Sequence, residues 1–345
     1  MNPQLAQYEA IAKEIFQRCL IEDYDPTEMH EWLVKAIAHV GGAADDNALM
    51  TWEESFALVD KMQAHYKELA SIPPEQRKIL DWPWTSWNKL IDPLEPGILA
   101  VITAPDGMGK TIYAELIAEH WASHKNRVVY VHYELSKEVM MLRRTARHAS
   151  LTIRDQKNGK LTTTQENAIA ESHKRLRSWG GEISYLHTPG WTMERTTAEL
   201  TKLHSEGNCD AVIIDYLEKV AASRRQMNMF GNDIYSREAD NVEQLKIFSE
   251  TTGVPIVQVA QMNKEGKGET KKTVDRNAIR GSGQKSEKSN IVILISRDHL
   301  EEGYSNLCTV RIDKNTLGPT GTLTQVMVPE YFSVGDPTGA GGGNV

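Results

Sequence analysis

Apolar residues follow two different periods along this chain, and the change from one to the other falls near residue 81. Before it, apolar positions recur every three or four residues, which predicts amphipathic helices over 5–20, 31–40 and 51–72. In the third, Phe56, Val59, Met62 and Tyr66 make one stripe, a pattern that serves packing or an oligomer contact more often than chemistry. The polar run GGAADDN precedes this helix and the helix-breaking SIPPEQ follows it. A helical region is therefore expected over 1–72, with a linker and lead-in over 73–90.

Beyond residue 81, short β-branched runs alternate with helical stretches. Strands are expected at 98–103, 127–133, 182–187, 211–215, 255–260, 291–295, 308–313 and 323–328, and helices at 136–148, 192–206 and 235–252. That alternation predicts an α/β fold with a central, mostly parallel sheet flanked by helices, over 91–334. The Gly-rich end reads as a flexible tail over 335–345.

Composition narrows the class. With 345 residues, 40% hydrophobic and 25% charged, the chain can bury the core of one large domain with an appendage. No apolar run approaches the roughly 20 residues of a membrane span, and MNPQLAQYEAIAKEIF lacks the basic start of a signal peptide. The expectation is a cytoplasmic protein without membrane contact. Cys19, Cys209 and Cys308 form no CxxC pair, which argues for buried thiols rather than disulfides or a zinc knuckle. The net charge of −8 argues against a surface built to coat nucleic acid. It leaves room for one local basic loop, KEGKGETKKTVDR at 264–276, with Arg280 and Lys285 close behind; nucleic-acid contact and a solvated loop both fit.

Candidate chemistry centres on APDGMGKT, from Ala104 through Asp106, Gly107, Met108 and Gly109 to Lys110 and Thr111. It fits a Walker A loop. The glycines let backbone N–H groups face phosphate oxygens, Lys110 reaches the β and γ phosphates, and the Thr111 hydroxyl can ligate Mg²⁺. An apolar strand before it and a helical pattern after it supply the context this motif needs. ATP and Mg²⁺ are the cofactors implied. Hydrolysis also requires a metal carboxylate and a group acting on water. CDAVIIDYLEKV ends its apolar run in Asp215, as a Walker B strand does. Glu134, in VVYVHYELSK, ends the strand after the P-loop helix, where a carboxylate can act as general base or stabilise the next helix N-terminus. Gln261 closes the strand before the basic loop, at the sheet edge where ligands of open α/β sheets gather. It suits a γ-phosphate sensor or a simple polar strand end.

The order and wording of these segments resemble the ATPase domain of the DnaB family of replicative helicases, from about residue 80 to 334. LDWPWTSWNKLIDPLEPG is similar to the family's lead-in, HYELSKE to its glutamate segment, VIIDYLEKV to its Walker B and VPIVQVAQMNK to its glutamine motif. IRGSGQKSEKSNIVILISRD resembles its DNA-binding loop and the strand after it, and IDKNTLGPTG its late motif, which reaches a neighbour's nucleotide. The resemblance implies a RecA-like P-loop fold in a homo-oligomeric ring, a hexamer, moving on single-stranded DNA and meeting a helicase loader or primase. It makes Glu134 the catalytic base, Asp215 the metal carboxylate and Gln261 the sensor. Arg280, Gly281, Ser282, Gly283 and Lys285 would face DNA, and Lys314 would contact the γ-phosphate.

Two departures stand out. Thr316 occupies the place of the family's arginine finger, with Lys314 and Arg311 as nearby cations, and only about 80 residues precede the lead-in. An ATP-switched, non-unwinding assembly protein and a RecA-type recombinase are the alternative readings. His120 and His124 stand four apart, but HWASH lacks the glutamate of HExxH, so no metal is expected there. Arg224 and Arg225 suit a solvated loop better than a second DNA contact.

Overall fold

The computed structural model describes residues 50–73, 78–261, 288–301 and 303–337, with a few positions between 11 and 36. The chain divides into two compact units, 1–77 and 78–345. In the first, helix α1 (Trp52–Ser71) opens on a capping box. The Thr51 hydroxyl accepts from the Glu54 N–H, and the Glu54 carboxylate accepts in return from the Thr51 N–H, satisfying donors that a helix start leaves open. None of its residues is buried, and Phe56, Val59, Met62 and Tyr66 stand exposed. The helices expected over 5–20 and 31–40 fall largely outside the described residues.

The second unit is built on strands β1 (Leu99–Ala104), β2 (Arg127–His132), β3 (Glu182–His187), β4 (Ala211–Asp215), β5 (Ile256–Gln261), β6 (Ile291–His299), β7 (Tyr304–Asn315), β8 (Gly321–Val328) and β9 (Ser333–Gly335). They form one nine-stranded sheet in the order β3-β2-β4-β5-β1-β6-β7-β8-β9. The strands from β1 to β6 run parallel; β7, β8 and β9 are added as antiparallel hairpins. Every residue of β1 and β4 is buried, as central strands covered on both faces require.

Side-chain alternation sorts the core into two layers. On one face, Ala100 and Ile102 of β1, Val128 and Tyr130 of β2, and Ala211 and Ile213 of β4 pack with Ile112, Tyr113, Ile117 and Trp121 of helix α3 (Lys110–Ser123). On the other, Leu99, Val129, Val131, Val212 and Ile214 meet Met193 and Leu200 of α7 (Met193–Ser205) and Val242, Leu245 and Phe248 of α9 (Ile234–Thr252). The lead-in, with the short helix α2 (Thr85–Asn88), sends Trp82, Trp84 and Trp87 into the first layer. Buried indole N–H groups find acceptors: Trp84 on Val334 O at 2.9 Å and Trp87 on Gln325 Oε1 at 3.0 Å.

Helix α4 (Lys137–Ala149) is fastened to α3 by a buried ion cluster. Arg147 donates to both oxygens of Glu119 and to Glu115 Oε2, each at 2.9 Å. Burial alone would raise Glu119, yet Arg147 and His148 bring it down to about 2. For Glu115, burial outweighs the two arginines beside it, and its pKa is raised.

Most expected elements appear with shifted ends, while α5 (Ile153–Lys157), α6 (Thr163–Arg177), α8 (Arg224–Phe230) and β9 were not foreseen. Helix α6 buries only Ser172, so it carries almost no apolar stripe by which periodicity could reveal it. Strands β6 and β7 run well beyond the apolar stretches that marked them, because their exposed ends pair with each other. Cys209 and Cys308 are free and buried. Among the described residues no helix is long and apolar enough to cross a membrane.

Candidate nucleotide-binding site

The P-loop joins β1 to α3. Gly107 and Gly109 adopt φ of +77° and +92°, where L-residues with a Cβ are strained. A Cβ on Gly109 would also overlap Met327 Cε, and one on Gly107 would lie 3.3 Å from Tyr304 Cε2. Gly109 is the N-cap of α3, with no side chain capping it, so the helix's first N–H groups and its positive dipole end face the loop. Lys110 Nζ folds back onto the loop, donating to Ala104 O at 2.8 Å and Pro105 O at 3.0 Å. Met108 is buried beneath the turn and Asp106 is exposed.

Asp215, at the end of β4, is buried. Its Oδ2 accepts from the Tyr130 hydroxyl at 2.9 Å. Burial raises its pKa, opposed by Tyr130, Thr111, Arg143 and Lys110. Its Oδ1 is buried without a hydrogen-bond partner, and the Thr111 hydroxyl is among the groups close enough to lower its pKa. A buried carboxylate oxygen left open beside a threonine hydroxyl fits a hard divalent cation such as Mg²⁺, which takes oxygen ligands. Asp215 and Thr111 are the residues that would hold it.

Two further segments reach the same edge. Ala104 and Gln261 are register partners on β1 and β5, and the Gln261 side-chain amide donates to Asp106 Oδ1. The Gln261 N–H donates to Glu218 Oε1 at 2.9 Å. Glu134, just past β2, is exposed. Burial, together with the nearby Glu134 carboxylate, pushes the Tyr216 phenol above its usual range. Lys110, Thr111, Glu134, Asp215 and Gln261 thus share the carboxyl-terminal edge of the parallel strands. Tyr130 and Glu218, which hold Asp215 and Gln261, and Tyr216 near Glu134, go unmarked in the sequence. Tyr216 and Glu218 lie in the Walker B segment itself, and Tyr130 shows only as an inward position of β2.

The late motif lies elsewhere. Lys314 pairs with Val292, which pairs with Val101, three steps or roughly 10 Å short of Ala104 along the strand direction and two strands to the side. The Thr316 N–H donates to Asn290 O at 3.0 Å, and Asn290 Oδ1 accepts from Leu99 N at the start of β1. Thr316 therefore sits at the opposite sheet edge, about 17 Å along β1 from Ala104. A register shift between Val292 and Ile293 puts Arg311 on the same face as Lys314, because their partners Leu294 and Val292 share one. Arg311 is engaged with Asp313 Oδ1 at 2.6 Å. Arg225, expected in a solvated loop, instead pairs with Asp240 and Glu194. Arg280, Gly281, Ser282, Gly283 and Lys285 lie outside the described residues.

This sheet order, loop and carboxylate arrangement define a P-loop protein of RecA-like fold. Residues 83–335 match the DnaB-like helicase C terminal domain, and the chain belongs to that family. Its relatives include the replicative DNA helicase DnaC of Bacillus subtilis (strain 168), 23% identical over 253 residues, covering 72% of this chain and 54% of that protein. The replicative DNA helicase DnaB of Geobacillus stearothermophilus is 22% identical over 252 residues, with the same coverage of 72% and 54%. The chain thus spans about half the length of the curated relatives it matches. Among solved structures, a DnaB-like replicative helicase described with its interactions with primase superposes with a TM-score of 0.72 at 16% identity, covering 96% of this chain and 76% of that one. A second solved structure, an isolated ATPase domain, gives a TM-score of 0.68 at 18% identity, covering 81% of this chain and 98% of that one.

Proposed function

We propose that this chain is an ATP-driven motor on single-stranded DNA, working as a ring-shaped homo-oligomer, a hexamer, in DNA replication in the cytoplasm. The observation that carries this reading is the split placement of the motifs. Loop, carboxylates and sensor occupy one sheet edge, while the late motif lies too far along the sheet to serve the same nucleotide, so a complete site needs a second copy. Residues 91–334 form the motor, with 1–72 as an appended helical region and 73–90 the lead-in. A helicase loader or a primase, the latter named for the similar helicase, is the partner class this reading implies.

In this reading Lys110 exchanges the carbonyls of Ala104 and Pro105 for the β and γ phosphates. Backbone N–H groups from Asp106 to Thr111 cradle the phosphates. Asp215 and Thr111 would hold Mg²⁺, which when bound supplies positive charge against the phosphate oxygens. Glu134 takes a proton from the attacking water, with the Tyr216 phenol near it. Gln261 leaves Asp106 for the γ-phosphate, so the start of the following segment, with Arg280 to Gly283 and Lys285, registers whether ATP is present. A neighbour's Lys314 completes the site.

Thr316 favours a second reading, a slow ATP-switched assembly protein, because threonine cannot stabilise the charge that develops during phosphoryl transfer. Hydrolysis measured with and without single-stranded DNA tests the main proposal. Stimulation that disappears in Lys110→Ala and Glu134→Gln is expected, and no response to any nucleic acid would overturn it.

A further inference from the structure

At the far end of the P-loop helix, about 15 Å from Lys110 at 1.5 Å per residue, the fold supplies the carboxylate that the HWASH segment lacks. Asp81 of the lead-in meets His120 and His124, and one ligand atom from each lies within 4.8 Å of the other two. His120 Nε2 is 2.7 Å from Asp81 Oδ1, and the two imidazoles lie 4.3 Å apart between centroids. All three side chains are half-buried.

Hydrogen bonding settles which nitrogen of His124 is free. Its Nδ1 lies 2.8 Å from the His120 carbonyl; a carbonyl only accepts, so Nδ1 carries the hydrogen and Nε2 presents its lone pair. This is the outer contact that orients a metal-binding imidazole. His120, in the last turn of α3, and His124, its C-cap, stand four residues apart, a spacing that suits a shared ion. Tetrahedral zinc with bonds of about 2.0–2.1 Å needs ligand atoms about 3.3 Å apart. The present spacings, from 2.7 Å for His120–Asp81 to at most 4.8 Å, bracket that value. On ion binding, His120 moves its hydrogen from Nε2 to Nδ1.

We propose that Asp81, His120 and His124 form a site for a divalent transition ion, zinc first, with water as the fourth ligand. Two imidazoles and a carboxylate suit zinc better than Mg²⁺ or Ca²⁺, which prefer all-oxygen sets. The role is structural. Asp81 O already accepts from Trp121 Nε1 at 2.6 Å, and Ile79 O from Asn126 Nδ2 at 2.9 Å; the ion fastens the same lead-in to the end of α3, away from the nucleotide.

The test uses the full chain stripped of metal, titrated with Co²⁺ while visible absorption is read, then with Zn²⁺ against a chromophoric chelator. One equivalent with a four-coordinate cobalt spectrum is expected, binding more than tenfold weaker in His124→Gln and in Asp81→Asn. Asp215→Asn and His65→Gln should keep the signal, which separates this site from the nucleotide metal and from exposed histidines. Zinc should raise the melting temperature of the wild type and leave that of His124→Gln unchanged. A zinc-free melt checks that each variant folds; should Asp81→Asn not fold, His124→Gln decides. Absence of a bound equivalent, or equal binding by a folded His124→Gln, overturns the proposal.

Discussion

The side-chain amide of Gln261 donates to the carboxylate of Asp106, tying the tip of β5 to the P-loop before any phosphate arrives. The same residue's N–H holds Glu218 of the Walker B segment at 2.9 Å. One glutamine therefore spans the P-loop and the segment that carries Asp215. Gln261→Ala should retain nucleotide binding within a few-fold but lose about tenfold or more of the DNA stimulation of hydrolysis. Parallel measurement of nucleotide affinity and of kcat with and without single-stranded DNA checks this. Equal loss of affinity and stimulation would mean that the glutamine only shapes the loop.

Asp215 carries an electrostatic cost in the nucleotide-free protein. Its pKa is raised on folding, chiefly by burial, so between the unfolded and folded pKa values the folded state holds the extra proton. Stability then falls as pH rises through that window. Asp215→Asn keeps an oxygen for Tyr130 and removes the charge. Without nucleotide at pH 7 it should melt higher, by about 2–4 °C per kcal/mol relieved, while hydrolysis is lost. Thermal melts with and without Mg²⁺ and ATP measure both effects, and a lower melting temperature without ligand would contradict the reading that burial of Asp215 outweighs its partners.

His132 gives the opposite pH dependence. Burial, with a further contribution from His187 stacked at 4.8 Å, brings its pKa down to about 4, although its hydrogen bond to Leu135 O works the other way. Between about 4 and the ordinary value near 6.5 the unfolded chain binds the extra proton, so stability is lost as pH falls through this range. The loss attributable to His132 should be about 1–3 kcal/mol. Denaturant unfolding of wild type and His132→Gln from pH 7.5 to 4.5 tests it; the variant should show a flatter profile.

Arg147 neutralises Glu115 and Glu119 at a buried contact between α3 and α4. Arg147→Ala leaves both carboxylates without their main partner, and loss of one member of a buried ion cluster costs about 3–5 kcal/mol. Urea unfolding should show a shift of that size. A smaller shift would mean that Arg143, 3.6 Å from Glu115, takes over.

Thr316→Arg probes the departure at the late motif. If a neighbour's site lacks charge there, the variant should hydrolyse ATP faster, by about tenfold or more, in assembled rings and not in dilute monomers. Activity followed across protein concentration separates the two cases.

Much of this was legible before the fold was known, for a physical reason. Central strands such as β1 and β4 are buried on both faces and read as unbroken apolar runs, and the P-loop demands glycines at positive φ. Asp215 and Gln261 could be placed because a strand's end fixes its sheet edge. Contacts between segments far apart in sequence could not. Tyr130 on Asp215 and Asp81 beside His120 join residues 85 and 39 positions apart, and no local pattern marks either pair. Helix α6 and the outer lengths of β6 and β7 were hidden because their exposed faces are polar. Arg225 looked solvated because its acidic partners come from α7 and α9.

Strand displacement on a forked duplex with ATP and Mg²⁺ is the most direct measurement of a DNA motor. Displacement by the wild type is expected, with loss in Lys110→Ala and Glu134→Gln, and loss again in Lys314→Ala, whose own P-loop is intact. Single-strand-stimulated hydrolysis without displacement, or displacement unchanged by Lys314→Ala, would contradict a motor whose sites are completed between neighbouring copies.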